Sequence, residues 1–202
     1  MDLADKISQR RASLVVVGLG HVGLPLSLLF AKVGFHVVGL DNSQERVAGL
    51  NAGHSYITDI SDSELTAALS RDDPEVADSC GFRATTDYDV LWKADIVIVS
   101  VPTPLSKSKE PDLSYIVAVT EEVAKRLHKD ELVVLESTTY PGTTEELILP
   151  RLTHDGYRVG EDFYLAFSPE RIDPGRSDWT VGTTPKVIGG VTVKCSEIAT
   201  AL

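Results

Sequence analysis

The sequence predicts an α/β fold, a doubly wound and mainly parallel sheet in a single domain, and three observations carry that expectation. Short runs rich in β-branched residues recur along the chain: Leu14 to Val17, His36 to Leu40, Asp95 to Val101 ("DIVIVSV") and Leu132 to Leu135. They have the length of strands and are predominantly apolar, as strands buried on both faces are. Segments with helical spacing separate them, such as Val22, Leu26, Leu29, Phe30 and Val33. Strands alternating with helices imply βαβ units and a parallel sheet. The third observation is the stretch "VVVGLGHVGLPL", in which Gly18, Gly20 and Gly23 follow the first run directly.

These glycines fit the G-x-G-x-x-G spacing. The first makes a tight turn, the second clears space for a pyrophosphate, and the third lets the following helix pack close to the strand. The N-terminus of that helix then offers unpaired N–H groups and a partial positive charge to the phosphates. Spacing alone is weak, so context decides. Pro25 falls in the first helical turn, where its missing N–H costs little, and Gly34 is a good terminator. The second strand ends at Asp41, about twenty residues beyond the glycines, where a carboxylate meets the ribose of a dinucleotide. The expected fold is therefore Rossmann-like. A carboxylate accepts hydrogen bonds from a 2′-OH and repels a 2′-phosphate, which favours NAD over NADP. Arg46 stands close enough to hold a phosphate or to lie along the adenine ribose. The alternative is a glycine-rich turn that binds no nucleotide.

A chain of 202 residues can bury one large core. Its net charge of −11 argues against nucleic acid and anionic membrane surfaces as partners. "SQRRASLVVVGLG" places two arginines before an apolar stretch, as export signals do. That stretch is already explained as the first strand, and no small-residue cleavage pattern follows. No segment approaches the roughly 18 continuous apolar residues of a membrane span. Cys80 and Cys195 give neither a disulfide framework nor a metal spacing, so a reducing cytoplasm is expected, and no metal. The five histidines, His21, His36, His54, His128 and His154, form no ligand pattern and read as surface or loop residues.

Further elements are expected at Glu64 to Leu69 (helix), Phe82 to Thr85 (strand) and Tyr88 to Lys93 (short helix). After the loop "LSKSKEP", Asp112 is expected to cap a helix running through Leu127. A helix from about Glu145 and strands at Tyr164 to Phe167 and Lys186 to Ile188 complete the pattern. In such sheets ligands bind beyond the carboxyl ends of the strands. The unusual segments all fall there: Gly18 to Gly23, Asp41 to Arg46, Val101 to Leu105, Ser137 to Thr139 and Ser168 to Gly175. "LSKSKEP" carries too little apolar surface to pack firmly and is expected to be mobile near one end of the cleft.

Taken together and in order, "VVVGLGHVGLP", "GLDNSQERVAGLNAG", "VSVPTP", "LESTTYPGTTEE", "LAFSPERIDPG" and "PKVIGG" resemble the NAD-binding half of the UDP-glucose/GDP-mannose dehydrogenase family, from about residue 12 to the end. "ESTTYPGTTEE" and "AFSPERIDPG" most resemble the UDP-N-acetylglucosamine 6-dehydrogenases, with UDP-N-acetylmannosamine dehydrogenases as the nearest competitor. The resemblance implies a four-electron oxidation of a UDP-sugar C6 alcohol to a carboxylate with two NAD. It implies pyrophosphate contacts at Gly18, Leu19, Gly20, His21, Val22 and Gly23, and adenosine-ribose contacts at Asp41 and Arg46. Val101, Pro102, Thr103, Pro104, Ser137, Thr138 and Thr139 would meet the nicotinamide end.

By the same resemblance Thr138 positions a catalytic water, Glu170 is an acid at the reaction centre, and Glu170, Arg171, Ile172, Asp173 and Pro174 face the substrate. UDP-glucose dehydrogenases carry a second acid where this chain has Pro174, which places glucose in doubt. The family's catalytic cysteine, with its central helical and C-terminal substrate regions, has no counterpart in residues 1–202. The chain by itself is therefore expected to be inactive, and the intact enzyme to be a homo-oligomer assembled through that central region. A hydroxy-acid dehydrogenase and a stand-alone dinucleotide-binding module remain the alternatives of other classes.

Overall fold

The computed structural model describes residues 1–69, 80–104, 111–153, 156–170 and 184–202. The chain opens with α1 (Leu3–Ser8), β1 (Ser13–Val17), α2 (Gly23–Lys32), β2 (His36–Leu40), α3 (Gln44–Asn51) and α4 (Asp62–Ala68). Then come β3 (Gly81–Thr85), a 3₁₀ turn (Tyr88–Lys93), β4 (Ile96–Val99), α5 (Ser114–Ala124) and β5 (Leu132–Leu135). A π-helical turn (Thr143–Ile148) leads into α6 (Leu149–Leu152), followed by β6 (Tyr164–Phe167), β7 (Gly189–Gly190) and α7 (Val193–Ala201). The seven strands lie in the order β3-β2-β1-β4-β5-β6-β7. All pair in parallel except β7, which is antiparallel to β6.

The strands are apolar at nearly every position because both faces of the sheet are covered. Successive side chains point to opposite faces. Leu14, Val16, Val37, Ile96, Ile98, Leu132 and Val134 therefore enter one core with Leu3 and Ile7 of α1, Leu24 and Leu28 of α2, Leu50 of α3 and Ile198 of α7. Their neighbours Val15, Val17, Val38, Val97, Val99, Val133 and Leu135 enter the other, with Ile116, Val119 and Val123 of α5 and Leu152 of α6. Helices on both faces make the sheet doubly wound, in the strand order of dinucleotide-binding folds with one antiparallel strand added.

Several boundaries differ from those read in the sequence. Asp112 lies one residue before the N-cap: its carboxylate accepts the Ser114 N–H at 2.9 Å, so the turn it makes delays the helix, which ends at Ala124 rather than Leu127. β4 is limited to Ile96–Val99, although the N–H groups of Asp95 and Ser100 on either side still donate to the Ser13 and Val17 carbonyls of β1. The helix expected from Glu145 starts two residues earlier, at Thr143, as a π-helical turn. Lys186 to Ile188 is not a strand. Only Ala166 and Phe167 of β6 offer antiparallel partners, and Gly190 and Gly189 take them. His36 is a half-buried strand residue, not a loop residue, and its burial holds its pKa below the ordinary value. The first helix, α1, was not anticipated by the strand-helix pattern.

At the amino ends of the strands the polar groups close on one another. The Lys6 ammonium meets Asp95 Oδ1 at 2.5 Å, and Asp95 Oδ2 accepts the Ser13 N–H at 2.9 Å. Glu131, 1% exposed, accepts the His128 N–H at 3.2 Å. Its burial pushes the carboxyl up to about 8. On the outer side of β3, the Asn51 amide donates to the Ala84 carbonyl at 2.9 Å and accepts the Ala84 N–H at 2.8 Å, while Leu69 bridges to Phe82.

Candidate functional site

At the carboxyl ends each glycine of the turn after β1 has a different spatial reason. Gly18 has φ +92°, and a Cβ there would lie 2.3 Å from the Ser100 carbonyl oxygen at the end of β4. A Cβ on Gly23 would lie 1.8 Å from the Gly18 carbonyl oxygen, so α2 packs here only without a side chain. A Cβ on Gly20 would meet nothing within 4 Å. Close backbone approach explains the outer two; open space over the middle one leaves room for a ligand. The N–H groups of Gly20, His21, Val22 and Gly23 donate to no protein acceptor among the described residues, which is the donor set an anion takes at a helix N-terminus.

Asp41, 8% exposed, sits one residue past β2. Its Oδ2 accepts the Leu19 N–H at 3.0 Å and its Oδ1 the Ser43 N–H at 2.9 Å. These bonds leave lone pairs on both oxygens for ribose hydroxyls. Ser43 caps α3 by accepting the Arg46 N–H at 3.3 Å, and this places the Arg46 guanidinium over the Tyr56 ring, 5.1 Å from its centroid. Tyr56 in turn donates its hydroxyl proton to the Leu19 carbonyl. A cleft of about 760 Å³ opens between these groups, lined by Gly20, His21, Ser43, Arg46, Tyr56 and Ile57 among others. The residues present fit a dinucleotide: a phosphate-sized space, free N–H donors and a ribose-height carboxylate.

Across the switch point between β1 and β4, the loops after β4 and β5 are tied together. Ser137 accepts the Val101 N–H at 3.1 Å and donates to the Val101 carbonyl at 2.8 Å, and Thr103 donates to the Thr138 carbonyl at 2.8 Å. Val101 and Thr103 are half-buried, Pro102 and Pro104 exposed, Ser137 buried, Thr139 half-buried and Thr138 exposed. Leu135 of β5 pairs with Phe167 of β6, and Thr138 and Glu170 each follow three residues on. Both therefore lie on the ligand rim, in the loops that leave two adjacent strands. Leu105, Arg171, Ile172, Asp173 and Pro174 lie outside the described residues, as does "LSKSKEP" but for its proline.

The sequence reading missed two features of the rim. One is Tyr56, whose aromatic ring between α3 and α4 gave no periodic signal. The other is Glu136, 4% exposed, paired with the ammonium of Lys186. Burial brings the Lys186 ammonium down to about 8. The spacing of fifty residues between them conceals the pair, although an apolar strand ending in a glutamate was a visible cue.

Neither cysteine reaches this rim. Cys195 is fully buried in the first turn of α7, its sulfur accepting the Leu165 N–H at 3.4 Å and the Thr192 hydroxyl at 3.2 Å. Cys80 is exposed just before β3, on the amino side of the sheet. No His/Cys/Asp/Glu cluster suited to a metal ion is found among the described residues. Among them, no helix is long and apolar enough to cross a membrane.

The strand order, the three glycines and the carboxylate after β2 define a Rossmann-type dinucleotide-binding domain. More particularly, the chain belongs to the UDP-glucose/GDP-mannose dehydrogenase family, whose NAD binding domain matches residues 12–202, and NAD is its cofactor. It is 38% identical over 190 residues to a UDP-N-acetyl-D-glucosamine 6-dehydrogenase of Pseudomonas aeruginosa, covering 94% of this chain and 42% of that protein. It is 38% identical over 212 residues to an NDP-N-acetyl-D-galactosaminuronic acid dehydrogenase of Ralstonia nicotianae, covering 100% and 47%. The structure of the UDP-D-ManNAc dehydrogenase of Pyrococcus horikoshii superposes with a TM-score of 0.78 at 34% identity, over 93% of this chain and 43% of that one. The chain thus spans less than half the length of these relatives.

Proposed function

We propose that this chain is the NAD-binding part of a nucleotide-sugar 6-dehydrogenase that oxidises the C6 alcohol of a UDP-sugar, UDP-N-acetylglucosamine first among the candidates, to a carboxylate. The observation that supports the reading is that Thr138 and Glu170 each follow by three residues the paired ends of adjacent strands, on the same rim as the glycine turn and Asp41. Two NAD bound in succession would each accept a hydride from C6. Gly18 to Gly23 hold the pyrophosphate, Asp41 and Arg46 the adenosine ribose, and the tied loops Val101 to Pro104 and Ser137 to Thr139 the nicotinamide end. The Thr138 hydroxyl and the Glu170 carboxylate can share a water that takes the proton lost from the C6 hydroxyl and later serves the hydrolysis. Arg171 to Pro174 are assigned to the substrate from the sequence resemblance alone.

Trapping the aldehyde requires a thiolate within reach of C6, and both thiols of this chain stand off the rim. Residues 1–202 are therefore expected to bind NADH without completing the oxidation, the second half of the cleft and the subunit contacts being supplied by the rest of a longer protein. UDP-N-acetylmannosamine and UDP-glucose are the alternative substrates.

Fluorescence titration with NADH and NADPH tests the cofactor half of the reading. NADH is expected to bind the tighter, and Asp41→Ala to narrow the gap; equal affinities in the wild-type chain would refute the assignment of Asp41. A panel of UDP-sugars given to a longer protein containing this chain tests the substrate. Activity on UDP-N-acetylmannosamine alone would move the reading to the alternative.

A further inference from the structure

The Leu19 residue of the glycine turn is held at every group it has. Its side chain is fully buried against Gly39, where an added Cβ would lie 2.7 Å from Leu19 Cδ2. Its N–H is bonded to Asp41, and its carbonyl accepts the hydroxyl proton of Tyr56. Tyr56 comes from the segment between α3 and α4, outside the glycine motif, and is 37% exposed, with its ring under the Arg46 guanidinium. We propose that Tyr56 is a positioning residue for the cofactor: its hydroxyl fixes the Leu19–Gly20 peptide so that the Gly20 and His21 N–H groups face the pyrophosphate, and its ring parks Arg46 at the adenosine end. The inference rests on the cofactor reading above and deepens it.

A peptide plane held at only one end can rotate about its flanking φ and ψ, and glycine at position 20 offers little resistance to that rotation. Bonding the Leu19 carbonyl removes the freedom before a ligand arrives, so less ordering is left to oppose binding. The hydroxyl remains a donor throughout the working range, because burial and the neighbouring Asp41 carboxylate push Tyr56 up to about 12, against the opposing Arg46 charge. Meanwhile no carboxylate among the described residues forms a salt bridge with Arg46; a cation stacked on a ring keeps its charge available for a nucleotide.

The test uses this chain with NADH as probe, and amide hydrogen exchange of the ligand-free protein as a second readout. Tyr56→Phe keeps the ring and removes the bond; it is expected to weaken NADH about fivefold, the worth of one typical hydrogen bond. It should also speed exchange of the Leu19 amide, which is held on the Asp41 carboxylate, while leaving the β1 and β2 core amides of Val16 and Val37 unchanged, which a general loss of stability would not do. Tyr56→Leu also removes the ring and is expected to cost more than Tyr56→Phe; in its background Arg46→Gln should have a smaller effect than in wild type. Wild-type affinity in Tyr56→Phe, or accelerated exchange throughout the core, overturns the inference. A wild-type chain that does not bind NADH overturns the cofactor reading and this inference with it, and the wild-type titration tells the two failures apart.

Discussion

The two ends of the strands in this sheet treat polar groups in opposite ways. At the amino ends Lys6, Asp95 and Ser13 satisfy one another, and Glu131 is enclosed against the N–H and the imidazole of His128. At the carboxyl ends four successive N–H groups have no protein acceptor among the described residues, and a space is kept open over Gly20. One end is built to be finished without a ligand and the other to be finished by one. Substitutions at the amino ends should therefore move stability and spare binding, whereas at the carboxyl ends the two effects can be separated residue by residue.

Gly23→Ala should have the largest effect. The new methyl would overlap the Gly18 carbonyl oxygen, a main-chain atom that cannot rotate away. Urea unfolding is expected to show a loss of about 3 kcal/mol or more, and NADH titration a loss of detectable binding. Wild-type stability would mean that α2 does not pack as described.

Glu131→Gln probes the other end. A carboxyl raised by burial to about 8 in the folded chain binds its proton more tightly there than in the unfolded one. Its contribution is fully present below the unfolded pKa, falls as pH rises, and is lost above about 8. Wild-type stability should thus decline between pH 5 and 8. The glutamine variant should be flatter across that range and more stable than wild type at pH 8, by a few kcal/mol. Its NADH affinity at fixed pH should match wild type; a weakened affinity would break the division between the two ends.

Gly20→Ala sharpens the comparison. It meets no protein atom, so its stability should stay within about 0.5 kcal/mol of wild type, yet its methyl occupies the space left for phosphate. NADH affinity is expected to fall at least tenfold. Unaltered affinity would show that the pyrophosphate lies elsewhere.

Much of this was legible in the sequence because local rules suffice for it. β2 spans His36–Leu40 as its apolar run predicts, and the 3₁₀ turn spans Tyr88–Lys93 as expected. The glycine positions and Asp41 follow from spacing that a βαβ unit imposes. What was not legible depends on partners far apart in the chain. The Tyr56 hydroxyl acts on a carbonyl 37 residues away. Lys186 opens "KVIGG", whose β-branched residues predict a strand, whereas its partner is the buried Glu136. α1 is short and lies outside the strand-helix alternation, so only its packing against the sheet through Leu3 and Ile7 reveals it.

The outer margin of β3 has a consequence for how the molecule behaves among copies of itself. An uncovered terminal strand is a template on which another chain can hydrogen-bond. Here the two outward-facing positions are both occupied from within, Phe82 by the bridge to Leu69 and Ala84 by the Asn51 amide, which supplies one donor and one acceptor as a neighbouring peptide would. A single side chain imitates a fragment of an absent strand and blocks sheet growth in that direction. This margin is thereby removed from the surfaces through which the chain could assemble by strand addition, and an intruding strand would first have to displace the chain's own amide.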